Sequence, residues 1–280
     1  MSFEDMPAQE PYRMPTANNY ARVIREGSRQ AMASLRTALD LPYGDDYYQK
    51  VDIYLPDDTG ARDLPVLMYL HGGGWEKGYK EEMGFMAPPI VSLPAVFVSV
   101  SYRLAPAVTN RDQLDDTIKA IAFVHSNIAR YGGSPGKIII GGHSAGGHLA
   151  ALAALRKDKL AAAGLPEDVI KYCVPVSAPY EIDPKDDGHA PFFRTQAEAR
   201  EASPIAYVPG TRMPFYISWA RHDFDGCVRD GPPMVEALKA AGAPVDFDIF
   251  EDMDHFDISV SHGDATGRWA KKIRAIMKKL

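Results

Sequence analysis

The chain has 280 residues, of which 46% are hydrophobic and 24% are charged, a composition typical of a folded globular protein rather than a disordered one. The formal net charge of -6 provides no broad basic surface, so we do not expect nucleic acid as a partner. No stretch approaches the roughly 18 apolar residues that span a bilayer, and the amino terminus lacks a secretory signal pattern, so we expect a soluble cytoplasmic protein without a membrane partner.

Helical and strand patterns alternate along the first half of the chain. Apolar residues at helical spacing predict an amphipathic helix over residues 20–36. Residues 50–56 alternate apolar and polar side chains, which is typical of a half-exposed strand. Residues 65–70 and 95–101 are almost continuously apolar, which indicates parallel strands covered on both faces. A second helical pattern, over 110–130, ends at two glycines.

Four further strand patterns follow, at residues 137–140, 172–178, 213–220 and 245–250. Pro175 interrupts the second of these and argues against a central position in a sheet, whereas alternating aspartates make the fourth an expected edge strand. One helical pattern follows Ser144, and another, around Trp269, closes the chain. Alternating strands and helices predict an α/β fold, with a mostly parallel sheet between helical layers, in one domain over residues 1–280.

The segment from Glu181 to Tyr207 interrupts this alternation. It is polar and contains an exposed-looking aromatic pair, Phe192 and Phe193. Its turn-forming residues are Pro184, Asp186, Asp187 and Gly188. The segment is either a plain surface excursion or a lid or pocket wall, since insertions of this kind often lie at strand ends where ligands bind.

Ser144 lies in the sequence GHSAG, residues 142–146, between a predicted strand and a predicted helix. Alone, the pattern G-x-S-x-G is weak support for catalysis, because an ordinary strand-to-helix turn can contain a serine. The flanking strand and helix favour a turn that presents Ser144 as a nucleophile. The glycines permit a strained backbone at the serine, and the helix amino terminus favours negative charge there.

A second glycine-rich loop, HGGGW at residues 71–75, follows another buried strand. Glycines allow backbone amides to converge on one point, as an oxyanion hole requires. A flexible turn would also explain these glycines, but not why two such loops follow neighbouring strands. We predict that the amides of Gly73, Gly74 and Ala145 hold the oxyanion.

A serine nucleophile needs a base and an orienting acid, which in this arrangement follow it in the order acid, then histidine. Asp223 and Asp225 follow one strand pattern, and His255 follows the last one. We predict that Ser144, His255 and Asp223 are catalytic, with Asp223 preferred over Asp225 because it lies nearer the strand end. Two acids that are too close to His255 in sequence to reach around its ring are interpreted as loop residues: Asp252 and Asp254.

Metal and cofactor signatures do not emerge from the sequence. His143 and His148 flank Ser144, but no cluster of carboxylates or cysteines accompanies them, so we expect neither a metal nor another cofactor. A phosphate-binding loop of the form G-x-x-x-x-G-K-[ST] does not occur. Cys173 and Cys227 are interpreted as reduced structural thiols rather than a disulfide.

The motifs HGGGW, GHSAGGHLA and DHFDI carry a resemblance to a known protein family. The chain resembles the α/β-hydrolases, and within them the kynurenine formamidase (arylformamidase) branch and the neighbouring hormone-sensitive-lipase-like esterases. GHSAGGHL, PVSAPYEIDP and DHFDI are similar to formamidase sequences, whereas SYRLAP and the triple glycine are similar to esterases. The resemblance runs from about Tyr48 to the last helix. It implies an α/β-hydrolase fold and a triad at Ser144, Asp223 and His255. Residues 1–45, expected to be helical, match neither pattern and could form part of a substrate cap.

These observations predict a cofactor-independent serine hydrolase that cleaves a small-molecule amide or ester, with an aryl formamide such as N-formylkynurenine as one candidate substrate. A short-chain carboxylesterase is the alternative within the same chemistry. A non-catalytic protein that binds small ligands on a hydrolase scaffold is a third. The sequence leaves open whether the chain forms a homo-oligomer. The candidate substrate contacts, for which core packing is the competing interpretation, are Trp75, Tyr102, His143, Phe192 and Phe193.

Overall fold

Strands and helices alternate along the computed structural model, which describes residues 3–57, 60–185, 192–193 and 195–280. The strands are β1 (Arg36–Pro42), β2 (Lys50–Leu55), β3 (Leu64–Leu70), β4 (Val96–Val100), β5 (Gly133–His143), β6 (Ile170–Val176), β7 (Phe215–His222) and β8 (Val245–Asp254). The α-helices are α1 (Pro15–Ser34), α2 (Ala87–Val91), α3 (Asn110–Asn127), α4 (Ala145–Leu155), α5 (Lys157–Ala162), α6 (Gln196–Ala202), α7 (Asp225–Ala241), α8 (His255–Ser261) and α9 (Arg268–Met277). Short 3-10 helices occupy Phe3–Asp5, Lys80–Met86, Ile128–Tyr131 and Pro204–Tyr207.

Within the described residues, eight strands form one sheet in the order β1-β2-β4-β3-β5-β6-β7-β8. β1 and β2 are antiparallel to their neighbours, and the strands from β4 to β8 in this order run parallel. The predicted α/β fold with a mostly parallel sheet is confirmed. Because parallel strands end at the same edge, the residues that follow β3, β5 and β7 are brought together there.

The central strands are covered on both faces, as their apolar sequences predicted. Along β3, Val66 and Met68 belong to one buried cluster, while Leu67 and Tyr69 belong to a second cluster on the other face. All four side chains are fully buried. The two clusters are the cores on the two faces of the sheet, and together they fix the carboxyl ends of the strands, where the candidate site lies.

The prediction of a half-exposed β2 is wrong. The polar positions of this strand, Asp52 and Tyr54, are buried. The 3-10 helix Lys80–Met86 covers them, with the Lys80 ammonium 2.9 Å from a carboxylate oxygen of Asp52. A Cβ on Gly84 in the same helix would lie 2.4 Å from the hydroxyl of Tyr54. The alternation along β2 therefore reflects a buried ion pair and a buried phenol, not exposure to solvent.

β6 lies between β5 and β7, so the expectation that Pro175 excludes it from a central position is also wrong. The Cys173 amide donates to the carbonyl of Pro214, just before β7, at 2.9 Å, and the Ser177 amide donates to that of Ser218 in β7 at 2.8 Å. Pro175, midway between them, has no amide hydrogen and leaves a gap in that ladder. The sheet tolerates the gap because both neighbouring amides are bonded. β8 is an edge strand, as predicted.

The amino-terminal segment, residues 1–45, is helical only in part. α1 overlaps the helix predicted over 20–36 but begins earlier, at Pro15, and the chain then turns into β1, the edge strand opposite β8. α1 packs on the Lys80–Met86 helix and on α8. Arg25 pairs with Glu82 at 2.6 Å, and the Tyr20 hydroxyl lies 2.8 Å from the Ser259 hydroxyl. These contacts attach α1 to elements that border the site.

The last helix, α9, docks onto the fold through one apolar face. Trp269, Ile273 and Ile276 are buried, while Lys271 on the helix and Lys278 at its carboxyl-terminal cap are exposed. Among the helices of the described residues, none combines the length and the apolar character that a membrane crossing needs.

Candidate active site

Ser144 occupies a strained turn between β5 and α4. Its backbone has φ 55° and ψ −124°, an unfavourable region for a residue with a side chain. Its amide donates to the carbonyl of Val176 at 2.9 Å, and its carbonyl accepts from the amide of His148 at 3.0 Å. Ser144 is partly exposed, whereas the residues on either side of it are buried. The turn therefore presents the serine hydroxyl at the carboxyl edge of the sheet.

Gly146 allows α4 to approach β3 closely. A Cβ at this position would lie 2.3 Å from the carbonyl oxygens of both Leu70 and His71. We expect Gly146→Ala to lower the free energy of unfolding by about 1–3 kcal/mol, because the backbone must shift to accommodate the methyl group. Denaturant unfolding measures this change.

Gly226 provides the control for that substitution. In the first turn of α7, the nearest atom to a Cβ on Gly226 would be 3.8 Å away. Gly226→Ala should be neutral or stabilise by up to about 1 kcal/mol, as expected for alanine in a helix. Equal stability of the Gly146 variant and the unmodified protein would contradict the close approach.

The glycine loop lies directly beside Ser144. A Cβ on Gly72 would lie 3.2 Å from the Cβ of Ser144. Gly73 and Gly74 have φ angles of +122° and +61°, and the carbonyl of Gly73 accepts two amides that close the turn. In the described part of the chain, the amides of Gly73, Gly74 and Ala145 donate to no other protein group. The three predicted oxyanion donors are therefore unoccupied and lie on the two loops that border the serine.

The structure brings Asp223 and His255 together, as predicted. The Nδ1 atom of His255 lies 2.5 Å from Oδ1 of Asp223, and both side chains are buried. Asp225, the less favoured alternative, is exposed at the start of α7. Asp252 and Asp254 are not loop residues, because β8 extends through both of them; Asp254 then caps α8 by accepting its first amides.

Asp223 is surrounded by hydrogen-bond donors. Besides His255, its carboxylate accepts from the Ser177 hydroxyl at 2.5 Å, the Ala220 amide at 3.1 Å and the Phe224 amide at 2.8 Å. Burial opposes ionisation of this carboxyl, but the hydrogen bonds and the charge of His255 outweigh it and lower the pKa of Asp223 to about 2. The carboxylate is thus ionised at neutral pH and able to orient the histidine.

Two aromatic rings flank the imidazole of His255. The ring of Phe224 stacks on it with centroids 4.0 Å apart, and the ring of His143 lies at 4.5 Å. His143 Nε2 is 2.9 Å from the carbonyl of His255. Burial, with a contribution from the charge of His255, lowers the pKa of His143 to about 3, so this ring is neutral. His143 is buried, and its contacts with the ring and the carbonyl of His255 help to hold that residue in position.

Phe224 was missed from the sequence. It is 41% exposed and directly follows Asp223. A large aromatic residue next to a predicted catalytic acid was the available signal.

Three of the five aromatic residues predicted to contact substrate form one cluster: Trp75, Phe192 and Phe193. Trp75 packs against Phe192 and Phe193, with ring centroids at 5.4 and 5.7 Å. Its indole nitrogen donates to Nδ1 of His148 at 3.2 Å, and Nε2 of that histidine is 2.7 Å from the carbonyl of Ala202. The exposed appearance of the aromatic pair was misleading, because Phe193 is buried and Phe192 is half-buried.

A cavity of about 440 Å³ lies beside this cluster and is lined in part by Phe192 and Phe193. Leu152, on its wall, is eight residues beyond Ser144 on α4, which corresponds to about 12 Å along a helix. The described part of the segment 181–207 contributes another wall through Phe192, Phe193, Glu198, Glu201 and Ala202. Pro184 lies in the described part of the segment, whereas Asp186, Asp187 and Gly188 lie outside the described residues. The described part of the segment therefore lines a cavity, and its role as a lid or wall over Ser144 stays a prediction.

Tyr102 lies behind the glycine loop and not in the site. Its side chain is fully buried, its ring stacks on His71 with centroids 4.4 Å apart, and its hydroxyl donates to the carbonyl of His71 at 2.9 Å. We therefore assign Tyr102 to the support of the loop and do not retain it as a substrate contact.

One group of described side chains could hold a metal ion. Ligand atoms of Asp223, Cys227 and His255 lie within 4.8 Å of one another. The carboxylate and the imidazole are already bonded to each other, and the Cys227 thiol donates to the carbonyl of Ser177 at 3.0 Å. Burial raises the pKa of Cys227 well above its usual value, which opposes the thiolate that a metal requires. The arrangement fits an orienting acid and a base better than a metal centre.

Comparison with known proteins is consistent with this geometry. The family model BD-FAE matches residues 51–178. Kynurenine formamidase of Danio rerio is 30% identical over 247 residues, covering 85% of this chain and 81% of that protein. Kynurenine formamidase of Salmo salar is 31% identical over 263 residues, covering 90% and 87%.

Esterases give matches of a second kind. Esterase LipQ of Mycobacterium tuberculosis is 32% identical over 223 residues, covering 73% of this chain and 53% of that protein. The solved structure of a hyperthermophilic esterase from Pyrobaculum calidifontis superposes with a TM-score of 0.77 at 24% identity, covering 94% of this chain and 92% of that one. With relatives similar along most of their length and a sheet shared with a solved esterase, the chain belongs to the α/β-hydrolase superfamily and is a hydrolase of the ester or amide type.

Proposed function

We propose that this hydrolase cleaves aryl formamides through an acyl-enzyme, with Ser144 as nucleophile, His255 as general base and Asp223 as the orienting acid. The observation that carries the proposal is the buried Asp223–His255 pair at the same sheet edge as the strained Ser144 turn. A serine hydroxyl needs such a base to attack a carbonyl at neutral pH.

The first half-reaction transfers the acyl group to the enzyme. The Ser144 oxygen attacks the carbonyl carbon while His255 takes the hydroxyl proton. The resulting oxyanion accepts hydrogen bonds from the amides of Gly73, Gly74 and Ala145, each donor contributing about 2.7–4 kcal/mol to the transition state. The C–N bond then breaks, and His255 gives its proton to the departing aryl amine.

The second half-reaction releases the acid. Water loses a proton to His255 and attacks the formyl-serine carbonyl. The bond to the Ser144 oxygen then breaks, and the proton returns from the histidine to that oxygen. The products are formate and the free serine. Throughout, Asp223 holds the ring through Nδ1 and stabilises the imidazolium, which leaves Nε2 for proton transfer.

The formamide substrate is supported by the extent of the sequence matches. The two formamidases are matched along 81% and 87% of their own length, whereas the esterase LipQ is matched along 53%. The alignments to the formamidases also cover more of this chain, 85% and 90% against 73% for LipQ, which supports a formamide substrate over an ester.

A short-chain carboxylesterase is the second candidate, because the same groups cleave esters. The observation that favours it is the match to the esterase LipQ, which is 32% identical over 73% of this chain. A non-catalytic binding protein is disfavoured, because serine, base, acid and glycine loop are all present at one edge of the sheet.

The deciding experiment compares kcat/KM for N-formylkynurenine with kcat/KM for p-nitrophenyl acetate, using Ser144→Ala as the blank. We expect the formamide to be preferred by about 10²-fold, a ratio within the range that a binding pocket supplies. Turnover of the acetate alone would replace the formamidase assignment with a carboxylesterase. No turnover of either, with no labelling of Ser144 by an organophosphonate, would refute the mechanism.

A further inference from the structure

The amino-terminal arm, residues 7–12, is hydrogen-bonded to residues 77–79, which directly follow the glycine loop. Gln9 accepts from the amide of Gly78 at 2.9 Å and donates to its carbonyl at 3.2 Å, so it brackets that residue. The Lys77 ammonium donates to the carbonyl of Glu10 at 2.6 Å, and the Tyr79 hydroxyl donates to the carbonyl of Pro7. The arm lies outside the residues matched by the BD-FAE model.

The arm places Tyr12 at the predicted oxyanion donors. Asn18, on α1, fixes the Tyr12 backbone by accepting from its amide at 2.9 Å and donating to its carbonyl at 2.8 Å. The Tyr12 hydroxyl oxygen lies 3.2 Å from where a Cβ on Gly73 would be, so the phenol points at the loop beside Ser144.

The Tyr12 hydroxyl is a donor without an assigned acceptor. Among the described residues, no protein group forms a hydrogen bond with it, although the side chain is half-buried. Burial raises the pKa of Tyr12, and the negative charge of Glu82 adds to this, so the phenol keeps its proton at all physiological pH values. The hydroxyl oxygen is not among the buried polar atoms of the described residues that lack a partner, so it is open to the space beside Gly73 and available to an acceptor on a bound substrate.

We propose that the Tyr12 hydroxyl donates a hydrogen bond to the carbonyl oxygen of the bound substrate, beside the amides of Gly73 and Gly74. This inference rests on the proposed hydrolase mechanism and adds a side-chain donor to the oxyanion site. The bond strengthens as negative charge develops on the oxygen, so it acts mainly in the transition state.

The test is Tyr12→Phe, which removes only the hydroxyl. For the substrate that the unmodified protein turns over best, kcat and kcat/KM should both fall about 10²-fold, with KM unchanged, because the lost bond acts in the transition state. The melting temperature should stay the same, because no protein partner is lost. Tyr131→Phe is the matched control: Tyr131 ends the 3-10 helix that precedes β5, at the amino ends of the parallel strands and away from Ser144, so kcat/KM should stay unchanged.

Each other outcome overturns the inference in a recognisable way. Unchanged kcat in Tyr12→Phe would show that the phenol does not contact the reacting oxygen. A rise in KM alone would indicate uniform binding of substrate. A loss of kcat together with a lower melting temperature would indicate a structural role. If the unmodified protein neither turns over substrate nor reacts with an organophosphonate at Ser144, the proposed function itself fails.

Discussion

Ser144→Ala is expected to lower kcat by about 10⁶-fold, the loss seen when a triad serine is removed, while the fold stays intact. In the described residues no hydrogen bond from the Ser144 hydroxyl supports the structure, and the turn is held by backbone bonds to Val176 and His148. The melting temperature should therefore change little. Steady-state kinetics with the preferred substrate and thermal denaturation check the two halves of this prediction.

Ser92→Ala serves as the control, since this exposed serine at the end of α2 lies in neither loop of the site. It should retain full turnover and full organophosphonate labelling, while the Ser144 variant shows neither. Turnover by Ser144→Ala close to that of the unmodified protein would eliminate the covalent mechanism.

Asp223→Asn is expected to lower kcat by about 10⁴-fold. The asparagine amide nitrogen cannot accept from His255, and the imidazole then turns to the wrong tautomer. The matched control is Asp225→Asn, two residues away and exposed, which should leave kcat nearly unchanged. Equal losses in the two variants, or a larger loss at Asp225, would contradict the assignment of the acid.

The same substitution has a signature in the pH dependence of stability. The pKa of Asp223 is lowered to about 2 in the fold, below the value of about 3.9 for an unfolded chain. The ionised carboxylate therefore stabilises the fold above about pH 4, and this stabilisation is lost as the pH falls toward 2. We expect the free energy of unfolding to fall less steeply across this window in Asp223→Asn than in the unmodified protein. Denaturant unfolding at several acidic pH values measures the slopes.

Much of the sheet and its edge was predictable, because local sequence carries the relevant physics. A strand covered on both faces must be apolar throughout, which is why β3 and β4 were recognised. The catalytic candidates follow from parallel topology, since the residues after β5, β7 and β8 must share one edge. The pairing of Asp223 with His255 is a consequence of that geometry.

The features that were missed depend on contacts between distant parts of the chain. The burial of Tyr54 and Phe193 is set by what covers them, which local alternation does not show. β1 follows α1 after only Leu35, so no turn signal separates them. α7 was not predicted, and it contains two consecutive prolines, Pro232 and Pro233, that obscure a helical pattern.

His148 connects the glycine loop to the wall of the cavity. One ring nitrogen accepts from the indole of Trp75, the last residue of the glycine loop, and the other lies 2.7 Å from the carbonyl of Ala202, in the wall of the cavity. Redesign of the cavity wall to admit larger substrates would displace that carbonyl, and the imidazole would transmit the shift to the indole. Under the proposed mechanism, we therefore expect substitutions in α6 that reshape the cavity to change turnover as well as substrate range.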